Sequence, residues 1–196
     1  MRINTNVGAL TASRNLFVNN MATDSSMRKL SSGLRISRAA DDAAGLSIAN
    51  KLRAQSRSLV QASSNAEQGN AMLQIAEGAA STIQRILERQ KELVIQRSST
   101  GNNSTVATTL DAEISDLQTE VSRIIDATNF QGASVFGSLS FQVSDGTSGG
   151  TVTVNSSLTA SQVSVGSGAS ITDVDNALTS INSVLAEIGA GQNVLD

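Results

Sequence analysis

Apolar residues recur at seven-residue spacing through the middle of the chain: Leu52, Leu59, Ala66, Leu73, Ala80, Leu87 and Val94. Ala62, Gly69, Ala76 and Ile83 fill a second seam position between them. A heptad pattern with so many small residues predicts a long helix whose partners approach closely. No Pro or turn cluster interrupts the stretch from Ala43 to Ser98. A helix of about 55 residues rises about 80 Å. Ser99-Thr100-Gly101-Asn102-Asn103 then breaks it, and Ser104 is suited to cap the next helix.

Leu110, Ile114, Leu117, Val121 and Ile124 form a 4-3-4-3 stripe, which predicts a return helix over Thr105–Thr128. At about 36 Å it covers less than half of the long helix, so part of the first seam needs another cover. Asn129-Phe130-Gln131-Gly132 ends that helix. From Ser138 to Val154, Leu139, Phe141 and Val143 alternate with polar residues, SDGTSGG follows as a loop, and TVTV completes a β-hairpin. A Ser/Gly/Thr-rich stretch over 155–170 has one short extended piece near Val163 and Val165. A last helix starts near Thr172-Asp173 and carries Val174, Leu178, Ile181, Leu185, Ile188 and Leu195. At the other end, Val7, Leu10, Phe17, Met21, Met27 and Leu30 predict a helix over 5–32. Asn19, Asn20 and Asp24 interrupt its stripe, so it is marginal in isolation. Gly33 is its expected C-terminal cap. The fold class is mainly α: a long antiparallel helical rod, a coiled-coil-like hairpin, with a small β-hairpin region.

Composition narrows the function. Four Phe are the only aromatic residues, and there is no Pro, Cys or His. That removes thiol nucleophiles, disulfides, imidazole acid–base chemistry and zinc sites built from those ligands. The run after Met1 lacks the apolar core of a secretory signal, and nothing approaches a membrane span. The formal charge of −3 hides an asymmetry. Residues 1–60 hold nine Lys/Arg against three acids, and the remainder holds five against fourteen. Phe17 is the single aromatic residue in the basic part and no Gly-Lys phosphate motif is interleaved with it, which argues against nucleic acid. Complementarity between different parts of neighbouring copies suits this asymmetry better.

Two clusters stand out. Arg35, Arg38, Asp41 and Asp42 lie where the first helix ends and the long one begins. Asp41 or Asp42 suits an N-terminal cap, and the four together suit an ion-pair junction between subunits. Asp111, Glu113, Asp116 and Glu120 mimic a carboxylate site, yet they are the polar side of the return helix. No base, nucleophile or cofactor cradle completes them, so neither catalysis nor a cofactor is expected. Glu88/Glu92 and Arg85/Arg89 have ordinary i,i+4 spacing on a solvated face, and Leu93 sits beside the seam.

The sequence resembles bacterial flagellin in blocks along nearly its whole length. MRINTNVGAL resembles the start of that family, and LSSGLRISRAADDAAGLSIANKL is similar to its N-terminal hallmark. QASSNAEQGNAMLQIAEGA, LERQKELVIQ and ATNFQGASVF resemble later blocks, and DVDNALTSINSVLAEIGAGQNVLD the opening of the C-terminal region. The resemblance implies a structural subunit that polymerises with other flagellin subunits into the extracellular flagellar filament for motility. It also implies export by the flagellar type III apparatus. Residues 1–42 would be an inner-tube-type helix and connection, 43–130 the helical rod, 131–171 the β-hairpin and linker, and 172–196 the start of the C-terminal rod helix. The outer domains and the family's terminal helix have no counterpart here, so an incomplete or truncated chain is expected. Arg89, Leu93 and Glu113 match positions with which the family engages Toll-like receptor 5. The alternatives are a hook–filament junction protein, or a ligand of that innate immune receptor as a secondary role.

Overall fold

The structure, a computed structural model, describes residues 6–99, 103–146 and 150–196. The first five residues, most of the expected break at 99–103 and the tip of the hairpin loop lie outside the described residues. The chain divides into two compact units, Met1–Arg57 and Ser58–Asp196, with the division inside the long helix.

In the first unit, α1 spans Val7–Ser32. The Asn6 side chain accepts the Ala9 N–H at 3.2 Å and so caps its start. Gly33 ends it in the left-handed region at φ 66, its N–H donating to Leu30 O at 3.3 Å. None of its residues is buried, and Leu10, Phe17 and Met21 are all exposed. α2 begins at Ala43 and runs to Arg97. Within the first unit its apolar residues Ile48 and Leu52 are also exposed.

In the second unit the same helix is a core element. Leu73, Ala80, Leu87 and Val94 are buried, as are Ala62, Gly69, Ala76 and Ile83. The seam is wider than the sequence reading had it. Met72 and Leu93 are buried, with Ala79 and Ile86 partly buried between them at the same seven-residue interval. Three adjacent heptad positions make a stripe broad enough for two partners, and two are present.

α3 (Ser104–Ala127) returns alongside α2. It is capped by Asn103, whose side chain accepts the Val106 N–H at 2.9 Å, so Ser104 is its first helical residue rather than its cap. Gln90 Nε2 donates to Ile114 O at 3.1 Å and Arg97 meets Asp111, which fixes the antiparallel register. α4 (Ile171–Leu195) also runs antiparallel to α2, from Lys91–Asp175 to Asn70–Asp196. It starts slightly earlier than Thr172-Asp173: Ser170 is the cap, and Ser170 and Asp173 form a reciprocal capping box. Its buried stripe is Val174, Ala177, Ile181, Val184, Ile188 and Gly191, while Leu178, Leu185 and Leu195 lie at its margin.

Two small antiparallel ribbons complete the unit. β1 (Asn129–Phe130) pairs with β2 (Ala133–Ser134) across Gln131 and Gly132, both at positive φ, the pair of conformations a primed hairpin turn requires. β3 (Ser138–Gln142) pairs with β4 (Thr151–Asn155), matching Leu139 with Val154 and Phe141 with Val152. Buried Ser156 donates to Val135 O at 2.8 Å and ties the two ribbons together. Phe141 lies over Gly69 of α2, and Val154 over Gly191 of α4. Val163 and Val165 bury the Ser/Gly-rich segment against this core. The Val165 N–H donates to Gln118 Oε1 at 2.8 Å.

Candidate functional site

The junction between α1 and α2 is assembled from backbone donors and two carboxylates with separate tasks. The Asp41 carboxylate accepts the N–H groups of Ser37 at 3.4 Å and Arg38 at 3.3 Å, and the Ser37 hydroxyl at 3.4 Å. Lys29 Nζ approaches it at 4.0 Å. The Ser37 N–H, with help from Arg38 and Lys29, holds the Asp41 carboxyl below the usual carboxylate range. Asp42 caps α2, its Oδ1 accepting the Gly45 N–H at 2.9 Å. The cap folds so tightly that a Cβ at Gly45 would lie 2.4 Å from Asp42 Oδ2 and 3.0 Å from Ile36 Cδ1. Arg35 and Arg38 are exposed and make no ion pair among the described residues.

A second polar surface lies on the second unit. Arg89 donates to Glu92 at 2.9 Å and to Glu113 of α3 at 3.1 Å. Both side chains of the Arg89–Glu113 pair are about half exposed, at 52% and 47%. Leu93 is not on this surface: at 1% exposed it belongs to the third buried stripe of α2. The three residues joined by the family resemblance therefore separate into an exposed ion pair and a core residue.

Beside it is a polar latch. Arg97 Nη1 meets Asp111 Oδ1 at 2.6 Å, and Nη2 donates to Ala169 O at 2.8 Å. The Gly168 N–H donates to the same carboxylate at 3.3 Å. One guanidinium thus fastens α2, α3 and the segment entering α4. The Arg97 bond, with Gly168, lowers the Asp111 pKa from its ordinary 3.8. A depressed carboxylate stabilises the fold above its unfolded pKa, and that contribution is lost as pH falls through the folded value. Acid titration of the unfolding free energy is therefore expected to show a loss that begins near pH 3.8 and continues below it. Asp111→Asn should lower stability at neutral pH and reduce that acid slope; an unchanged slope would remove the latch from the account.

Gln90 was hidden from the sequence reading. It occupies the seam position after Ile83 and is fully buried. Its Nε2 is satisfied by Ile114 O, while Oε1 has no partner among the described residues. A polar residue at an apolar interval was the available signal. Among the described residues no group of three potential metal ligands occurs, and no helix is long and apolar enough to cross a membrane.

The arrangement is one of helix seams, caps and ion pairs, and comparison with known proteins agrees. A family profile described as the bacterial flagellin N-terminal helical region matches residues 3–140. The chain belongs to the flagellin family. It is 46% identical over 134 residues to a flagellin of Bacillus subtilis, covering 67% of this chain and 44% of that protein. It is 43% identical over 150 residues to flagellin B of Vibrio cholerae, covering 73% of this chain and 39% of the relative. The crystal structure of Bacillus cereus flagellin superposes with a TM-score of 0.59 at 28% identity, covering 68% of this chain and 85% of that one. The chain spans less than half the length of these curated relatives. Flagellins are structural proteins rather than enzymes.

Proposed function

We propose that this flagellin chain is a structural subunit that polymerises with further copies into the extracellular flagellar filament, reached through the flagellar type III export apparatus. One observation carries the reading. The seam buried at Leu73, Ala80, Leu87 and Val94 continues at the same interval to Leu59 and Leu52, which are 50% and 60% exposed. α1 adds Val7, Leu10, Leu16, Phe17, Val18 and Met21, all exposed. Isolated exposed apolar residues are ordinary, but a continuous helical series of them marks a surface built to be covered. Burial against another copy would supply the driving force, and a head-to-tail contact between unlike surfaces propagates into an open helical polymer.

The test is direct. Purified chain, alone and mixed with a full-length flagellin, is expected to enter pelletable filaments visible by negative-stain electron microscopy. A chain that stays in the supernatant in both cases would sink the proposal.

The exposed Arg89–Glu113 pair supports a secondary reading as a ligand of Toll-like receptor 5. The contact would rest on these two side chains, Leu93 being buried in the core. Arg89→Ala leaves the core untouched and is expected to reduce signalling in receptor-bearing cells. Equal signalling by the variant and the parent chain would refute this role.

A further inference from the structure

An aspartate followed by glycine is a reactive step in water. The backbone nitrogen after the aspartate can attack the side-chain carboxyl carbon, and glycine leaves that nitrogen unshielded because it has no Cβ. Asp145-Gly146 is the only Asp-Gly step in the chain, and Asn-Gly does not occur. The fold sets Asp145 apart from every other aspartate that a described residue follows. Asp24, Asp111, Asp116, Asp126, Asp173 and Asp175 lie inside helices, where φ and ψ are fixed and the next N–H is engaged along the helix. The Asp41 and Asp42 carboxylates are committed to backbone N–H groups before and at the start of α2.

Asp145 lies beyond the last paired residues of the β3–β4 ribbon, Gln142 and Thr151. The Val143 N–H donates to Gly150 O at 2.7 Å and closes the loop below it. The Gly146 N–H is outside that ladder and donates to the Ser144 hydroxyl at 3.4 Å, longer than an ordinary hydrogen bond. Gly146 is exposed and sits at φ 90. A Cβ built on it meets none of the described residues within 4 Å. Its nitrogen is therefore weakly held, open to approach, and free of the backbone constraints that protect the other aspartates.

We propose that Asp145-Gly146 is a modification site, at which the folded chain converts aspartate to isoaspartate without an enzyme. The Gly146 nitrogen bonds to Asp145 Cγ, a Cγ–O bond breaks, and the amide proton leaves with the carboxyl oxygen as water. The product is a five-membered imide. Water then adds to the main-chain carbonyl of Asp145, and the bond from that carbonyl to the Gly146 nitrogen breaks. The chain now runs through Cβ and Cγ, and the carboxylate stands on Cα. No oxidant or reductant is involved, and the charge is unchanged. The added main-chain carbon falls above the Val143–Gly150 closure. Leu139 and Phe141, which pair with Val154 and Val152, lie below it, so the ribbon keeps its seat. The released carboxylate is the group to which isoaspartyl carboxyl methyltransferases transfer a methyl from S-adenosylmethionine, leaving S-adenosylhomocysteine. The aged loop is thus a substrate for that class of enzyme.

The experiment ages the whole chain at neutral pH and body temperature, once folded in buffer and once unfolded in guanidinium chloride. Electron-transfer fragmentation of the peptide spanning residue 145 then separates isoaspartate from aspartate. Methyl incorporation from labelled S-adenosylmethionine by an isoaspartyl methyltransferase counts the product independently. In the folded chain, isoaspartate is expected at position 145 ahead of every other aspartate, accumulating at a rate comparable with that in the unfolded chain. Asp145→Glu keeps the charge but can close only a slower six-membered imide, so both signals should be lost. Circular dichroism and the melting temperature of the aged chain should match those of fresh protein. Isoaspartate at position 145 in the unfolded sample alone would mean that the fold protects the step, and the proposal would be overturned. Faster conversion at another aspartate of the folded chain, or methyl incorporation that survives Asp145→Glu, would overturn it as well.

Discussion

Leu87→Ala is expected to lower the unfolding free energy of the second unit by about 2–5 kcal/mol, whereas Leu52→Ala should change that of the free chain by no more than about 0.5 kcal/mol. The two leucines occupy the same heptad position five repeats apart, and the chemistry removed is identical. Leu87 is fully buried and Leu52 is 60% exposed. Truncation at Leu87 loses the transfer free energy of the side chain and leaves a cavity between α2 and its partners. Truncation at Leu52 removes atoms that water already touches. Chemical denaturation of both variants measures the contrast. The order should reverse in assembly: Leu52→Ala weakens polymer formation, because the side chain enters an apolar contact only there. Equal destabilisation of the free chain by both changes would mean that Leu52 is covered within the monomer, and the uncovered-seam argument would fail.

That pair also shows what the sequence could and could not convey. Seven-residue spacing located α2 and its register, and the 4-3-4-3 stripe located α3, because periodicity records which way a side chain points. It does not record whether anything stands opposite. Leu52, Leu59, Leu73 and Leu87 look alike in one dimension, and only the positions of α3, α4 and the ribbons separate them. The width of the stripe is legible in the sequence: Met72, Ala79, Ile86 and Leu93 repeat every seven residues and signal a second partner for α2. That series includes Leu93, which is buried in the core. The small hairpin after α3 was obscured for another reason. Its turn uses Gln131 at positive φ, and a residue other than Gly, Asn or Asp carries little local signal for that conformation.

The sites were legible in proportion to how local their chemistry is. Gly33, Asp42 and Ser170 act on backbone within three residues, so cap rules find them or miss by one or two positions. Arg97 and Gln90 act across elements. Their partners, Asp111 with Ala169 and the Ile114 carbonyl, become neighbours only once α3 and α4 are packed. The Asp-rich face of α3 illustrates the reverse. In sequence it imitates a carboxylate site, yet Asp111, Glu113 and Glu120 each meet an arginine, and no group of three potential metal ligands forms among the described residues.

Gly191→Leu is expected to destabilise the second unit by about 3 kcal/mol or more, at the upper end for overpacking, while Gly189→Ala should stabilise it by up to about 1 kcal/mol. Both glycines lie inside α4. A Cβ at Gly189 meets none of the described residues within 4 Å, so alanine there only removes chain entropy from the unfolded state. A Cβ at Gly191 would stand 2.4 Å from Val154 Cγ2 and 3.3 Å from Leu73 Cδ1. Val154 cannot yield by rotating, because β-branching restricts χ1 and its strand is paired with β3 through Leu139. The ribbon itself must move away from α4. Gly69 plays the matching part on α2, where a Cβ would press on the Phe141 ring at 3.0 Å and on Leu195 at 3.1 Å. The two glycines are thus what lets the β3–β4 ribbon lie against both helices at once. Thermal unfolding of the two α4 variants measures the difference. A melting temperature for Gly191→Leu equal to that of the parent chain would show that the ribbon is not seated on Gly191, and the close packing of β4 against α4 would have to be abandoned.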